Sequence, residues 1–161
     1  MPKKFAKYMP MGGFPDKRGY AFQASISQDS RDRTRFFIEM APQTKPKPKS
    51  GSTESPFDWD LKKFISLDAA EMGNLQACFR GRLNKVEIIH KFPMNAPPAE
   101  QKITGLTVEK GEWQGKANWG VSITQKMGTE KPENYRLFIS AGEVEVLMVF
   151  LTKAIAQAYE L

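Results

Sequence analysis

The 161 residues are 40% apolar and 11% aromatic, enough for one compact core and too much for global disorder. The net charge is +6, and all of it lies in the N-terminal third: residues 1–56 hold 11 Lys/Arg against 5 Asp/Glu, residues 57–161 hold 13 of each. One Cys and one His exclude an intrachain disulfide and a Cys/His zinc cluster, and no apolar run reaches the ~18 residues of a membrane span.

Residues 4–9, ahead of the Gly12-Gly13 turn, form the weakest strand candidate. Residues 20–27 alternate with the period of a strand and put Tyr20, Phe22, Ala24 and Ile26 on one face. Residues 35–41 set Phe36, Ile38 and Met40 against Arg35, Phe37 and Glu39. Residues 42–56, rich in Pro, Lys, Ser and Thr, read as a mobile basic loop. A fourth strand over 59–67 places Trp59, Leu61, Ile65 and Leu67 on the apolar side, with Lys62 and Phe64 on the other. Asp68 is an N-cap for a helix over 69–82, with Glu71 as its capping-box partner.

The pattern then repeats. Residues 85–92 alternate, 94–101 are irregular, and 103–110, 116–126 and 134–140 read as strands. A last helix over about 143–159 is apolar on most of its circumference, so it must be covered on more than one side. Val146, Val149, Phe150 and Ala154 are its candidate oligomerisation residues, for a dimer or tetramer. The expected fold is therefore α+β: one domain of two tandem ββββα repeats, about 4–83 and 85–160, forming two antiparallel four-stranded sheets each followed by a helix. Phe64-Ile65-Ser66 and Phe138-Ile139-Ser140 match across the halves, each closing a strand before a helix. Gly19-Tyr20-Ala21 ahead of Ser25-Ile26 likewise resembles Gly115-Lys116-Ala117 ahead of Ser122-Ile123.

With that order in hand, the chain resembles the Whirly family of single-stranded-DNA-binding proteins, whose fold is shared by single-stranded-DNA-binding transcriptional coactivators and mitochondrial guide-RNA-binding proteins. Ser66-Leu67-Asp68-Ala69-Ala70-Glu71-Met72-Gly73-Asn74-Leu75 is similar to the family's strand-to-helix stretch. Gln114-Gly115-Lys116-Ala117-Asn118-Trp119 resembles the KGKAAL motif of plant members, which there belongs to the first repeat. The counterpart in the first repeat here, Arg18-Gly19-Tyr20-Ala21-Phe22-Gln23, keeps the Gly and the small residue. The resemblance implies binding of single strands with little sequence preference, and assembly through helices.

Single strands are held by cations along the backbone and by aromatic faces under the bases. Basic and aromatic residues recur together at Lys17, Arg18, Tyr20 and Phe22, at Arg33, Arg35 and Phe37, and at Lys62 and Phe64. In the second half they recur at Trp113, Lys116, Asn118 and Trp119, joined by Tyr135 and Arg136. Phe22, Phe64, Trp119 and Tyr135 each fit a core better than a platform, the commoner fate of aromatics, whereas Phe37 and Trp113 have polar strand-mates and fit the platform better. His90 and Cys78 sit among apolar neighbours and read as structural; no catalytic set, phosphate loop or cofactor motif is present, so a non-enzyme is expected. The leading expectation is single-stranded DNA binding in replication, recombination or transcription of a bacterium or phage. Its location would be cytoplasmic or nucleoid-associated, since Met1–Lys7 lacks a secretory apolar stretch. An RNA-binding protein of the same fold, or an interaction module built on the last helix, are the alternatives.

Overall fold

The computed structural model describes residues 4–160. Its strands are β1 Lys4–Met9, β2 Tyr20–Gln28, β3 Thr34–Pro42 and β4 Lys63–Leu67, then β5 Lys85–Phe92, β6 Lys102–Trp113, β7 Lys116–Met127 and β8 Glu133–Ser140. Helix α1, Ala69–Phe79, follows β4, and helix α2, Ala141–Ala158, follows β8. Strands β1–β4 form one antiparallel sheet and β5–β8 another, each in chain order. The α+β class and the ββββα order are those expected from the alternation. Among the described residues, no helix is long and apolar enough to cross a membrane.

One face of each sheet is dry. Phe22, Phe36, Ile38, Met40, Ile65 and Leu67 are buried inside the first sheet, and Val86, Ile88, Leu106, Val108, Val121, Ile123, Leu137 and Ile139 inside the second. Met72 and Leu75 of α1 and Leu147 and Leu151 of α2 complete a single continuous core. Helix α2 packs chiefly against α1 and, among the strands, against β3, touching β1, β2, β7 and β8 as well, so the last helix covers the first sheet. Lys7 of β1 reinforces this closure: its Nζ donates to Phe138 O and to Glu143 Oε1, each at 2.6 Å. Burial raises the Glu143 carboxyl pKa, but hydrogen bonds from Lys7 and Ser140 outweigh it and leave the pKa below its ordinary value.

Several boundaries differ from those read in the sequence by a few residues, and three have a plain local reason. Helix α1 stops at Phe79, because Gly81 turns left-handed at φ 77° and Arg82 N donates back to Ala77 O. Leu83, just past the helix's end, is exposed. Helix α2 begins at Ala141, where Ser140 and Glu143 form a reciprocal capping box. Trp59–Leu61 is a single 3-10 turn capped by Asp58, so the strand begins only at Lys63. Trp59 and Leu61 thus leave the core face to which the alternation assigned them.

The segment after β3 is pinned at both ends. Gln43 bridges Phe57, and Thr44 N donates to Pro56 O at 2.9 Å. The Gln43 side chain is fully buried; its Oε1 accepts from Met11 N and Gly19 N, each at 2.8 Å, and its Nε2 donates to Met11 O and Lys45 O. Gly19 is required there, since a Cβ would stand 1.8 Å from Met9 O. Beyond that knot, Lys45, Lys47 and Lys49 are exposed.

Candidate nucleic-acid interface

The outer face of the first sheet gathers the basic and aromatic residues that the sequence scatters over three strands. The register sets Phe37 between Ser25 and Ser66, and Glu39 between Gln23 and Phe64. Phe37 and Phe64 then lie side by side, ring centroids 6.4 Å apart and planes 30° from parallel. Lys62 Nζ stands 5.9 Å from the Phe64 centroid and Lys102 Nζ 5.6 Å. Arg35 is laid across β4: its Nε donates to Ser66 Oγ and its Nη2 to Ser66 O, both at 2.7 Å. Two hydrogen bonds fix the guanidinium while leaving other N–H donors for a phosphate. Glu39 offsets Lys62 at 3.3 Å, whereas Lys102 has no ion pair among the described residues.

The same face continues in residues that no sequence pattern marked as binding. Ala21 and Ala41, cross-strand partners with only methyl side chains, form a floor on which Phe57 and Trp59 pack. Tyr8 lies 6.1 Å from Phe57 and is 58% exposed. Aromatic rings therefore lie on this face in two groups, Tyr8 with Phe57 and Trp59, and Phe64 with Phe37. Lys102 and Tyr8 went unnoticed because their neighbours are remote in sequence; the small residues at 21 and 41 were the available hint.

The other sequence candidates are spread more widely. Arg136 and Phe138 share the outer side of β8, the guanidinium 5.0 Å from the ring centroid. They lie over Gly120, where a Cβ would stand 3.0 Å from Arg136 Nη2. Trp113, 66% exposed, and Lys116 face each other at the tip of the β6–β7 hairpin, across a turn in which Gln114 and Gly115 both take positive φ. Asn118 follows, half-buried, with its Oδ1 against Gly111. Lys17 and Arg18 are exposed in the β1–β2 connection. Arg33 is occupied by Asp29 at 2.9 Å in the β2–β3 turn. Slight desolvation raises the Asp29 pKa, but hydrogen bonds from Arg33 and Arg31 bring it below its usual value. Tyr20 packs half-buried on Tyr135, centroids 5.1 Å apart, and desolvation of its phenol raises its pKa.

Two candidates are corrected outright. Trp119 is 5% exposed, edge-on to Phe79, with Nε1 donating to Cys78 O, because β7 turns Trp119, Val121 and Ile123 inward together. It is a core residue, not a stacking platform. Ala154 is fully buried on the inner side of α2 and offers nothing to a second subunit, whereas Val146 and Val149 are 51% and 68% exposed and Phe150 is half-buried. His90 Nε2 lies 2.7 Å from Glu71 Oε2, tying β5 to the first turn of α1, and Cys78 is buried with its thiol pKa raised by desolvation. Among the described residues, no three His, Cys, Asp or Glu side chains are placed to hold a metal ion.

Two four-stranded sheets with a helix after each, and a solvent-facing aromatic and cationic sheet surface, define the class. The particular fold is the Whirly fold. The chain superposes on the plant transcriptional regulator PBF-2 with a TM-score of 0.68 at 15% identity, over 99% of this chain and 84% of that one. It matches WHY3 from Arabidopsis thaliana at 0.66 and 15%, over 96% and 88%. It matches the trypanosome MRP1/MRP2 structure at 0.63 and 15%, over 99% and 95%. No protein-family model matches the sequence, and no curated protein does.

Proposed function

We propose that this protein binds single-stranded DNA with little sequence preference, using the outer face of the first sheet as its platform. The observation that carries this reading is the Phe37–Phe64 pair, edged by Arg35, Lys62 and Lys102 on a rigid two-strand support. Bases of any kind can stack on such rings, at about 1–3 kcal/mol each, while the cations follow the phosphates. The fold shared with a plant transcriptional regulator agrees with a role in handling nucleic acid. The chain acts by binding and not by catalysis, in replication, recombination or transcription of a bacterium or phage, in the cytoplasm or at the nucleoid. Val146 and Val149, with Phe150 beside them, form the contact through which copies assemble.

The test is anisotropy titration of a labelled single strand of about 30 bases, a length that spans several platforms. Binding should weaken with salt by about 0.7 log units per log unit of salt for each phosphate neutralised. Competition by duplex DNA should be weak, and competition by RNA of the same sequence weaker than by the DNA. Absence of binding at low salt would end this reading. A clear RNA preference would move it to RNA.

A further inference from the structure

The outer face of the second sheet carries a depression with a different chemistry. Gly105 of β6 is its floor; its register partner is Ile89 on β5 on one side and Thr124 on β7 on the other. Ile89 and Ile103 wall a concavity of about 340 Å³ there, and Ile89 is 60% exposed; Lys126 and Glu87 also line it, the Glu87 carboxylate being held by Lys85 Nζ at 2.9 Å. One row along, the register runs Lys91, Ile103, Lys126, so an apolar wall is flanked by two cations on adjacent strands. Neither lysine has an ion-pair partner among the described residues. An unpartnered apolar pit with a lysine on each side suits a ligand that is flat and apolar in one part and anionic beside it.

We infer that this pit receives a single base of the same DNA strand, with the flanking phosphates on Lys91 and Lys126. The inference rests on the proposed platform of the first sheet. The geometry also supplies a route between the two. Lys102, which reaches Phe64 on the first sheet, immediately precedes Ile103, whose side chain lines the pit, because successive residues of β6 point to opposite faces. A strand leaving Phe64 past Lys102 thus arrives at the edge of the second face. Binding then occurs at two connected subsites, and strands long enough to reach both gain affinity over short ones.

The test is Gly105→Val. A Cβ at Gly105 meets only Ile88 O, at 3.9 Å, and β-branched side chains suit a strand, so the variant fills the pit without disturbing the backbone. The expected result is at least about fivefold weaker binding of a strand of ~30 bases, with a strand of ~8 bases held as tightly as by the wild type. The double variant Lys91→Gln/Lys126→Gln should lower the salt slope for the long strand by about 1.4 and leave the short-strand slope unchanged. A Gly105→Val protein that melts like the wild type and binds the long strand with wild-type affinity overturns the inference and leaves the platform standing. Equal losses for long and short strands would overturn it too, by making the pit no separate subsite. Failure of the wild type to bind either strand overturns the platform reading instead. If Gly105→Val changes the sedimentation coefficient of the free protein, the pit is a contact between copies and not a base site.

Discussion

Strands β4 and β8 carry nearly the same outward residues and yet present different surfaces. Lys62, just ahead of β4, and Phe64 on it correspond to Arg136 and Phe138 on β8, and both phenylalanines are a little under half exposed, at 43% and 45%. On the first sheet the neighbouring strand adds Phe37 and Arg35, and β6 adds Lys102, so Phe64 becomes part of a broad platform. On the second sheet the residue opposite Phe138 is Gly120, and Arg136 folds down over it against its own ring. A strand motif thus specifies a direction and a residue type. Whether it forms a platform is decided by what the neighbouring strands set beside it: Phe37 at the next same-face position of β3 from Glu39, the partner of Phe64, and Gly120 directly opposite Phe138.

The largest effect that would sharpen this contrast concerns the aromatics of the second half. Trp119→Ala should cost about 3–5 kcal/mol of unfolding free energy, by loss of a large buried side chain. Trp113→Ala at the hairpin tip should move the denaturant midpoint hardly at all. Equal shifts in the two midpoints would mean that Trp119 is not in the core.

Next comes the platform itself. Phe37→Ala/Phe64→Ala should weaken binding of a ~30-base strand by roughly 10- to 100-fold, about 1–3 kcal/mol, while far-ultraviolet circular dichroism is unchanged. Phe138→Ala should weaken it far less. If the three phenylalanines proved equivalent in the titration, the distinction between the two faces would fail.

A smaller effect tests the junction between the halves. The Glu143 pKa lies below its ordinary value in the folded protein, so its stabilising contribution is complete above the unfolded carboxyl value of 4.5 and is lost as pH falls through the folded value. Thermal melts should therefore show a loss of stability on acidification that Glu143→Gln reduces. An unchanged acid limb in the variant would place the coupling of β1 to α2 elsewhere. The smallest effect is expected at Arg33, whose guanidinium is engaged by Asp29 on an exposed turn. Arg33→Ala should leave single-strand affinity within about twofold, whereas Arg35→Ala should reduce it measurably, since a charge-assisted contact is worth about 1.5–3 kcal/mol.

Much of the architecture follows from the order of residues alone. Period-two alternation marked the strands, and Asp68 and Glu71 marked the first helix start, because these signals act over a few neighbouring residues. Arg35, Phe37, Lys62 and Phe64 stood out only as basic and aromatic residues recurring together along alternating strands; of the aromatics, Phe37 had polar strand-mates, while Phe64 by itself fitted a core better. What the tertiary structure alone decided is which aromatics face water and which meet one another. Trp119 went inside because of the strand's phase, Trp59 went outside because a 3-10 turn at Trp59–Leu61 reset that phase, and Tyr8 and Lys102 joined the platform through contacts across the ladder and between sheets. A one-residue change of phase exchanges the faces of a strand, and nothing in a strand's own residues fixes its partner's register. Hence the chain's local chemistry was visible in its sequence, and the surface that chemistry forms was not.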